Sequence, residues 1–382
     1  MRPGISTNVE ETGVDDTAHI LRAVALAERA AGRTSPNPMV GCVIVKDGEV
    51  IGEGWHQGPG TPHAEPAALA EAGDAARGAT AYVTLEPCNH YGNTPPCSEA
   101  LIAAGVAEVV YAAADPNPLA AGGADRLRAA GIRVRHVLVP EADRLIRPWV
   151  HGLTASRPYV YAKLAMSLDG RTATKTGESK WITGPEARTH GHLLRQRTDA
   201  IIVGVETVLA DDPGLDPRPE GVVPAPSLKI VMDSRLRTPA EAKLLSTPGD
   251  VLIFTTGTAD WQAEDALREQ GAEIIRIPSV NDRPSLSAAL AHLKEIGCQS
   301  VMIEGGGTLL SSVFDDGLVD EVWAYIAPLI LGGGRPAISG EGPDQLASAF
   351  TLADRQVEQL GTDLFIRGTL QRREEAVCSQ AS

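Results

Sequence analysis

Segments with strand character and segments with helical periodicity follow one another along most of this chain, and that order limits the fold more than any other feature. Residues 15–32 open on Asp15 and Thr17, carry apolar side chains at helical spacing and close on Gly32, so they predict a helix. "MVGCVIVKDGEVIGEGW" (39–55) predicts two strands joined at a Lys-Asp-Gly-Glu turn. Helix 63–73, strand 79–85, helix 96–105, strand 106–115, helix 121–131 and strand 132–139 then follow. Strands separated by helices need crossover connections, which place parallel strands in one sheet with helices on its faces. The expectation is an α/β fold.

The pattern breaks at "RPWVHGLTASRPYV" (147–160), where prolines flank a polar middle, and then restarts. Strands at 159–168 and 171–174 around an Asp169–Gly170 turn, helix 185–198 and strand 199–204 lead into strands at 228–233, 251–256, 273–277 and 300–306. A helix over 307–316 and a strand over 320–331 close the reading. A length of 382 residues also favours two domains. The boundaries expected are 15–150 and 157–371.

A net charge of −15 argues against sequence-independent binding to nucleic acid, which depends on Lys and Arg against phosphates. It leaves room for a small phosphorylated ligand. The opening "MRPGISTNVEETGVDD" has no apolar stretch after its positive charge, and no run approaches 18 apolar residues, so neither a secretory signal nor a membrane span is expected. Five cysteines are few and odd in number, poor material for a disulfide framework, and point to a reduced, cytoplasmic chain. Cys42 reads as a small buried hydrophobe, Cys378 as part of an exposed tail.

Cysteines in a Gly/Pro/Asn-rich loop need a chemical reason to be there. "HAE" (63–65) places His63 at a helix start with Glu65 in the first turn; "PCNHYGNTPPC" (87–97) adds Cys88 and Cys97. One imidazole and two thiolates are the donor set of a catalytic Zn²⁺ with an open fourth position, and such a metal brings the pKa of water to about 7. Glu65 is then placed to move protons to a ring nitrogen and a departing amine, the arrangement of a zinc deaminase. The competing reading is a closed structural zinc with His90 as fourth ligand. Asn37, between two prolines, offers an amide to a ligand or simply marks a turn.

In the second half, "IEGGGTLL" passes from strand through glycines to a helix, so Gly306, Gly307 and Thr308 offer backbone amides to a phosphate. Glu304 before them suits a sugar hydroxyl. Ser179 and Trp181 sit in a short polar loop, and Thr207, Asp211, Asp212 and Arg218 in what reads as a long irregular connection over 205–218. Arg195 and Arg218 are candidates for a phosphate. These residues support a nucleotide or phosphosugar site and do not by themselves imply hydride transfer.

The motifs "SPNPMVGCVIV", "HAE", "TLEPCNHYGNTPPC", "KLAMSLDGRTA", "GESKWITG", "DAIIVGVETVLADDPGL" and "IEGGGTLL" resemble, in order and over about residues 15–370, the bifunctional deaminase/reductase family of riboflavin biosynthesis. The resemblance implies an N-terminal cytidine-deaminase-like α/β/α sandwich and a C-terminal dihydrofolate-reductase-like α/β domain. It implies zinc on His63, Cys88 and Cys97 with Glu65 as proton shuttle, acting on a phosphorylated diaminopyrimidine. It further implies NADPH against Ala165, Trp181, Thr207, Asp211, Ser234 and the segment from Gly306. Substrate contacts implied are Ser179, Arg195, Leu215, Arg218 and Glu304, with Lys163 near the phosphate or the reacting carbon. A homo-oligomer is implied on the same ground. Two other readings stay open: a nucleic-acid-editing deaminase, and a non-enzymatic protein with structural zinc.

Overall fold

The structure is a computed structural model that describes residues 14–92, 94–218, 225 and 227–372; Cys378 lies outside them. Its contacts divide the chain after Thr154 into two compact units.

The first unit runs α1 (Val14–Glu28), β1 (Gly41–Lys46), β2 (Glu49–Trp55), α2 (Ala64–Ala72), β3 (Thr80–Leu85), α3 (Cys97–Ala104), β4 (Glu108–Ala113), α4 (Gly123–Ala129), β5 (Arg133–His136) and α5 (Pro140–Thr154). Its described strands form one sheet in the order β2-β1-β3-β4-β5. β1 is antiparallel to both neighbours, while β3, β4 and β5 run parallel. Period-two alternation sends Ile44, Ala81, Val83 and Val109 to one face with Ala68 and Leu101, and Val43, Tyr82 and Val110 to the other with Ile20 and Ala142. Both faces are covered by helices, which makes an α/β/α sandwich. Cys42 is fully buried in β1.

One expectation is corrected here. Residues 147–154, read as part of a linker, are the last turns of α5, with Pro148 inside the helix. A proline there removes a helical hydrogen bond, and the buried face of Ala142, Leu145 and Ile146 outweighs that loss.

The second unit opens with β6 (Tyr159–Ser167), β7 (Arg171–Ala173), α6 (Pro185–Arg197), β8 (Ala200–Gly204), α7 (Val205–Asp211), β9 (Leu228–Met232), α8 (Lys243–Ser246), β10 (Val251–Thr255), α9 (Trp261–Glu269) and β11 (Glu273–Arg276). A two-stranded hairpin, β12 (Ser279–Val280) and β13 (Arg283–Pro284), precedes α10 (Leu286–Glu295), β14 (Ser300–Glu304), α11 (Gly307–Asp315) and β15 (Glu321–Ala327). β16 (Arg335–Pro336), which pairs with β7, and the hairpin β17 (Phe350–Leu360) and β18 (Asp363–Arg372) complete it. The large sheet has the order β11-β10-β9-β8-β14-β6-β15-β18-β17. It is parallel from β11 to β15 and antiparallel at β18 and β17.

The connection expected over 205–218 is half helix. Val205 and Val208 are buried and wind residues 205–211 into α7, leaving only 212–218 irregular. The sequence reading also assigned no element to α9, α10, β17 or β18. α10 was legible: Ser285 caps it by accepting from the Ala288 amide, and Leu286, Ala289, Leu290 and Leu293 form its buried stripe.

Candidate functional sites

In the first unit, α2 lies unusually close to β2 because glycines face it. A Cβ on Gly54 would stand 2.3 Å from the Ala64 carbonyl oxygen and 2.4 Å from the Ala68 nitrogen. This seating presents His63, the N-cap of α2, and Glu65 in its first turn at the C-terminal edge of the parallel strands. Cys88 lies on the loop after β3, and Cys97 opens α3 behind Pro96. A Cβ on Gly123 would be 1.7 Å from the Pro87 carbonyl oxygen, so α4 presses directly on that loop.

The donor atoms of His63, Cys88 and Cys97 lie within 4.8 Å of one another and are the one such group among the described residues. His63 Nδ1 is 3.2 Å from Cys97 Sγ and 3.7 Å from Cys88 Sγ, and the Cys97 amide donates to Cys88 Sγ at 3.4 Å. The Cys97 thiol, against the cost of burial, and then His63 and the Cys97 amide hold the Cys88 thiol down to about 4. Cys97 moves the other way, pushed up by its bond to the Cys88 sulfur and by burial. The two sulfurs thus interact directly, and a soft divalent cation bound between them would displace their protons. Three soft donors converging beside a carboxyl fit zinc.

Glu65 is 3% exposed, and burial first, then the Cys88 charge, raise its pKa above the usual carboxylate value. It lines a cavity of about 410 Å³ together with His63, Cys88 and Asn37. Asn37 Nδ2 donates to His56 Nε2 at 3.1 Å, and His56 Nδ1 is 3.2 Å from the Pro62 carbonyl oxygen. Burial lowers the His56 pKa, in keeping with a neutral ring that donates through Nδ1 and accepts through Nε2. His90 also lines the cavity but is not one of the three clustered donors, and its Nδ1 is buried without a partner.

Sequence reasoning missed His56, Glu86, Asp115 and Asn117, all on the cavity wall. Asp115 accepts from the Asn117 amide at 2.8 Å, and burial pushes its pKa up to about 6. Its place just past the end of β4 was the available signal, since α/β sheets collect ligands at the carboxyl ends of their strands.

In the second unit one cavity, about 650 Å³, is lined by Lys163, Ala165, Ser179, Trp181, Arg195, Thr207, Asp211, Leu215, Arg218 and Glu304. The β6–β14 register puts Lys163 beside Glu304. Lys163 Nζ donates to Glu304 Oε1 at 3.0 Å, and Arg195 Nε to Oε2 at 2.9 Å. Burial disfavours the Glu304 charge, but Arg195 and Lys163 outweigh it and hold the carboxyl well below its usual range. Trp181 is 70% exposed, with the Arg188 guanidinium 4.5 Å over its ring.

The loop carrying Leu215 and Arg218 is tied from below. Buried Lys229 donates to the Thr247 hydroxyl at 2.7 Å, and that hydroxyl donates to the Gly214 carbonyl at 2.8 Å. Tyr325 and His192, which also line the cavity, were not anticipated; burial and Arg195 lower the His192 pKa to about 4. Tyr325 stands beside Ala165 in the β6–β15 register, which a strand alignment alone does not reveal.

Ser234, Gly306 and Thr308 line a second cavity of about 790 Å³, and Thr207 lines both. The Gly306 amide donates to the Thr207 hydroxyl at 3.2 Å, which joins the glycine segment to α7. Gly307 does not line this cavity. A Cβ there would stand 2.8 Å from the Pro336 carbonyl oxygen, so its place is set by close backbone packing.

Residues 14–113 match the family model described as the cytidine and deoxycytidylate deaminase zinc-binding region, and residues 158–366 match the RibD C-terminal domain. The riboflavin biosynthesis protein RibD of Actinobacillus pleuropneumoniae is 43% identical over 357 residues, 92% of this chain and 94% of that protein. RibD of Escherichia coli (strain K12) is 42% identical over 365 residues, 92% of this chain and 98% of that protein. Among solved structures, Acinetobacter baumannii RibD in its form 1 is 40% identical with a TM-score of 0.79, covering 94% of this chain and 99% of that chain. A diaminohydroxyphosphoribosylaminopyrimidine deaminase/5-amino-6-(5-phosphoribosylamino)uracil reductase from Thermotoga maritima is 32% identical with a TM-score of 0.81 over the same shares.

Proposed function

The chain belongs to the RibD family of bifunctional riboflavin-biosynthesis deaminase/reductases, and we propose that its two units perform these two reactions on one phosphorylated pyrimidine. The observation that carries the reading is the convergence of His63, Cys88 and Cys97 beside buried Glu65. On this reading residues 15–150 form the deaminase domain and 157–371 the reductase domain.

The substrate is 2,5-diamino-6-(5-phosphoribosylamino)pyrimidin-4(3H)-one. His63, Cys88 and Cys97 hold zinc, which supplies Lewis acidity that makes water a nucleophile at neutral pH. Glu65 takes a proton from the attacking water and passes it to the ring nitrogen beside the carbon under attack. It then delivers a proton to the departing amine, so C–N is exchanged for C=O and ammonia leaves. The raised pKa of Glu65 suits a group that must both accept and return protons. Asn37 anchors the ring.

The product, 5-amino-6-(5-phosphoribosylamino)uracil, is then reduced at C1′ of its ribose to the ribityl compound. NADPH supplies the hydride when bound. Ala165, Trp181, Thr207, Asp211, Ser234, Gly306 and Thr308 seat the cofactor, while Gly307, packed against the Pro336 carbonyl, shapes the turn between the last two. Ser179, Arg195, Leu215 and Arg218 hold the phosphoribosyl group, with Glu304 on the sugar hydroxyls and Lys163 at the reacting end. The protein's share is positioning: the Lys163–Glu304–Arg195 bridge sets three side chains before substrate arrives. The net charge of −15 supports a role without nucleic acid, and no described helix is long and apolar enough to cross a membrane. The reading includes a cytoplasmic homo-oligomer without a membrane partner.

The test is mass spectrometry of the product formed by purified zinc-loaded protein with NADPH and the diaminopyrimidine substrate. Exchange of the ring amine for oxygen with gain of two hydrogens is expected. An unchanged substrate would refute the deaminase assignment, and exchange without reduction, or failure to reduce the deaminated compound supplied directly, would refute the reductase assignment.

A further inference from the structure

Lys229 is fully buried in β9, and no step of the chemistry above uses it. Its ammonium group donates to three acceptors on one short segment, the carbonyl oxygens of Leu244 and Thr247 and the Thr247 hydroxyl, each at 2.7 Å. We propose that Lys229 and Thr247 are positioning residues of the reductase: they hold α8 as a splint against residues 212–218 and so set that loop in the shape that takes the phosphoribosyl substrate. This rests on the reading that Leu215 and Arg218 contact the substrate, and deepens it by naming what places them.

The loop needs outside support to keep its shape. Asp212 and Leu215 have φ of 42° and 57°, a left-handed backbone that is costly for a residue with a Cβ and persists where neighbours enforce it. α8 reaches both places. Its first residue, Lys243, donates its amide to Asp212 Oδ1 at 2.8 Å. Just past its other end, the Thr247 hydroxyl holds the carbonyl of Gly214, the residue before Leu215. A Cβ on Gly214 would stand 3.2 Å from Thr247 Cγ2, so the threonine methyl also packs closely on the loop. On the cavity side the Asp216 carbonyl accepts from Arg195 Nη1 at 3.4 Å, and the Arg218 amide donates to His192 Nδ1 at 3.3 Å. The loop is thus gripped between α8 and the wall of the substrate cavity.

α8 is a single turn of four residues, too short to be stable by itself. The Lys229 ammonium binds carbonyls at its C-terminal end, where the helix dipole favours a cation. Burial lowers the Lys229 pKa, and the charges of Asp216 and Asp250 act the other way. A buried charge is an inefficient source of stability, because a well-packed apolar residue of similar volume commonly does as well. What three directed hydrogen bonds add is a fixed geometry, and here that geometry ends at Leu215 and Arg218.

Steady-state kinetics of reduction by the full chain tests this, with 5-amino-6-(5-phosphoribosylamino)uracil and NADPH varied separately. Thr247→Val keeps the methyl contact and removes the hydroxyl. It is expected to raise the KM for the pyrimidine roughly tenfold, with kcat changed less than about threefold and the KM for NADPH within about twofold. Thr247→Ser restores the hydroxyl and should return the pyrimidine KM to within about threefold of wild type. Lys229→Met is expected to behave as Thr247→Val does; should it fail to fold, as circular dichroism would show, the Thr247 pair decides the matter. Arg218→Ala separates the proposal from the reading beneath it. If Arg218→Ala leaves the pyrimidine KM unchanged, the loop does not hold substrate and that reading fails. If Arg218→Ala raises this KM while Thr247→Val lowers only the melting temperature, the reading stands and this proposal fails. An equal rise in both KM values for Thr247→Val would also overturn it, by showing a general loosening of the unit.

Discussion

Glu65 is surrounded by groups that pull its proton in opposite directions: burial and the Cys88 charge favour the acid, while His63 and hydrogen bonds favour the carboxylate. Such a balance suits a proton carrier better than a fixed charge. Glu65→Gln keeps the shape and removes the proton acceptor, so deamination is expected to fall roughly 10²–10⁴-fold. Metal analysis should find zinc retained, and reduction of the already deaminated compound should continue. Deamination near wild-type rates would remove Glu65 from the mechanism. Glu304 is the contrasting case, an ion held in place by Arg195 and Lys163. Because its folded pKa lies below the unfolded one, the stability it contributes is present above the ordinary carboxylate pKa and is lost as pH falls through the folded value. Glu304→Gln should therefore destabilise at neutral pH by roughly 1–3 kcal/mol, since two cations lose their partner. The difference from wild type should shrink in acid-side denaturation curves below about pH 4. A gap that stays constant with pH would show that the Glu304 charge does not contribute to stability in this way.

Elements carry these side chains into position, and small residues decide how closely. Gly54 allows the start of α2 to rest on β2, and that start holds both His63 and Glu65. Gly54→Ala would place a methyl group 2.3 Å from backbone oxygen, so the helix end must move. Expected consequences are weaker zinc retention and a deamination rate reduced at least tenfold, since misplacement by about an ångström is costly to catalysis. Reduction should be spared. Normal zinc content in that variant would show that the contact does not position the ligands. The same scale explains why the sequence reading was uneven. The "PCNHYGNTPPC" loop announced its ligands because thiols are rare in such company. α5 did not announce itself, because Pro148 and a charged surface hid a helix whose stability comes from one buried face.

At the scale of the whole molecule, each of the two compact units holds its own candidate site, built on one cavity in the first and on two that share Thr207 in the second. Zinc removal by a chelator is therefore expected to abolish deamination, to leave reduction of the deaminated compound intact, and to leave far-ultraviolet circular dichroism unchanged. Unfolding on chelation would make the zinc structural rather than catalytic.

What the sequence determined by itself is the order of most strands and helices, the His63–Cys88–Cys97 donor set with Glu65, and several residues of the cavity around Glu304. Those signals are local: periodicity, rare residue types and glycine-rich turns are legible one segment at a time. Tertiary structure alone decided which segments share a wall. Lys163 meets Glu304 through a register between strands about 140 positions apart, Lys229 steadies Gly214 through Thr247, and Arg283 reaches the cavity of Ser234 on a short hairpin. Such neighbours come from sheet order and register, which depend on how distant segments pack, and no local pattern encodes them.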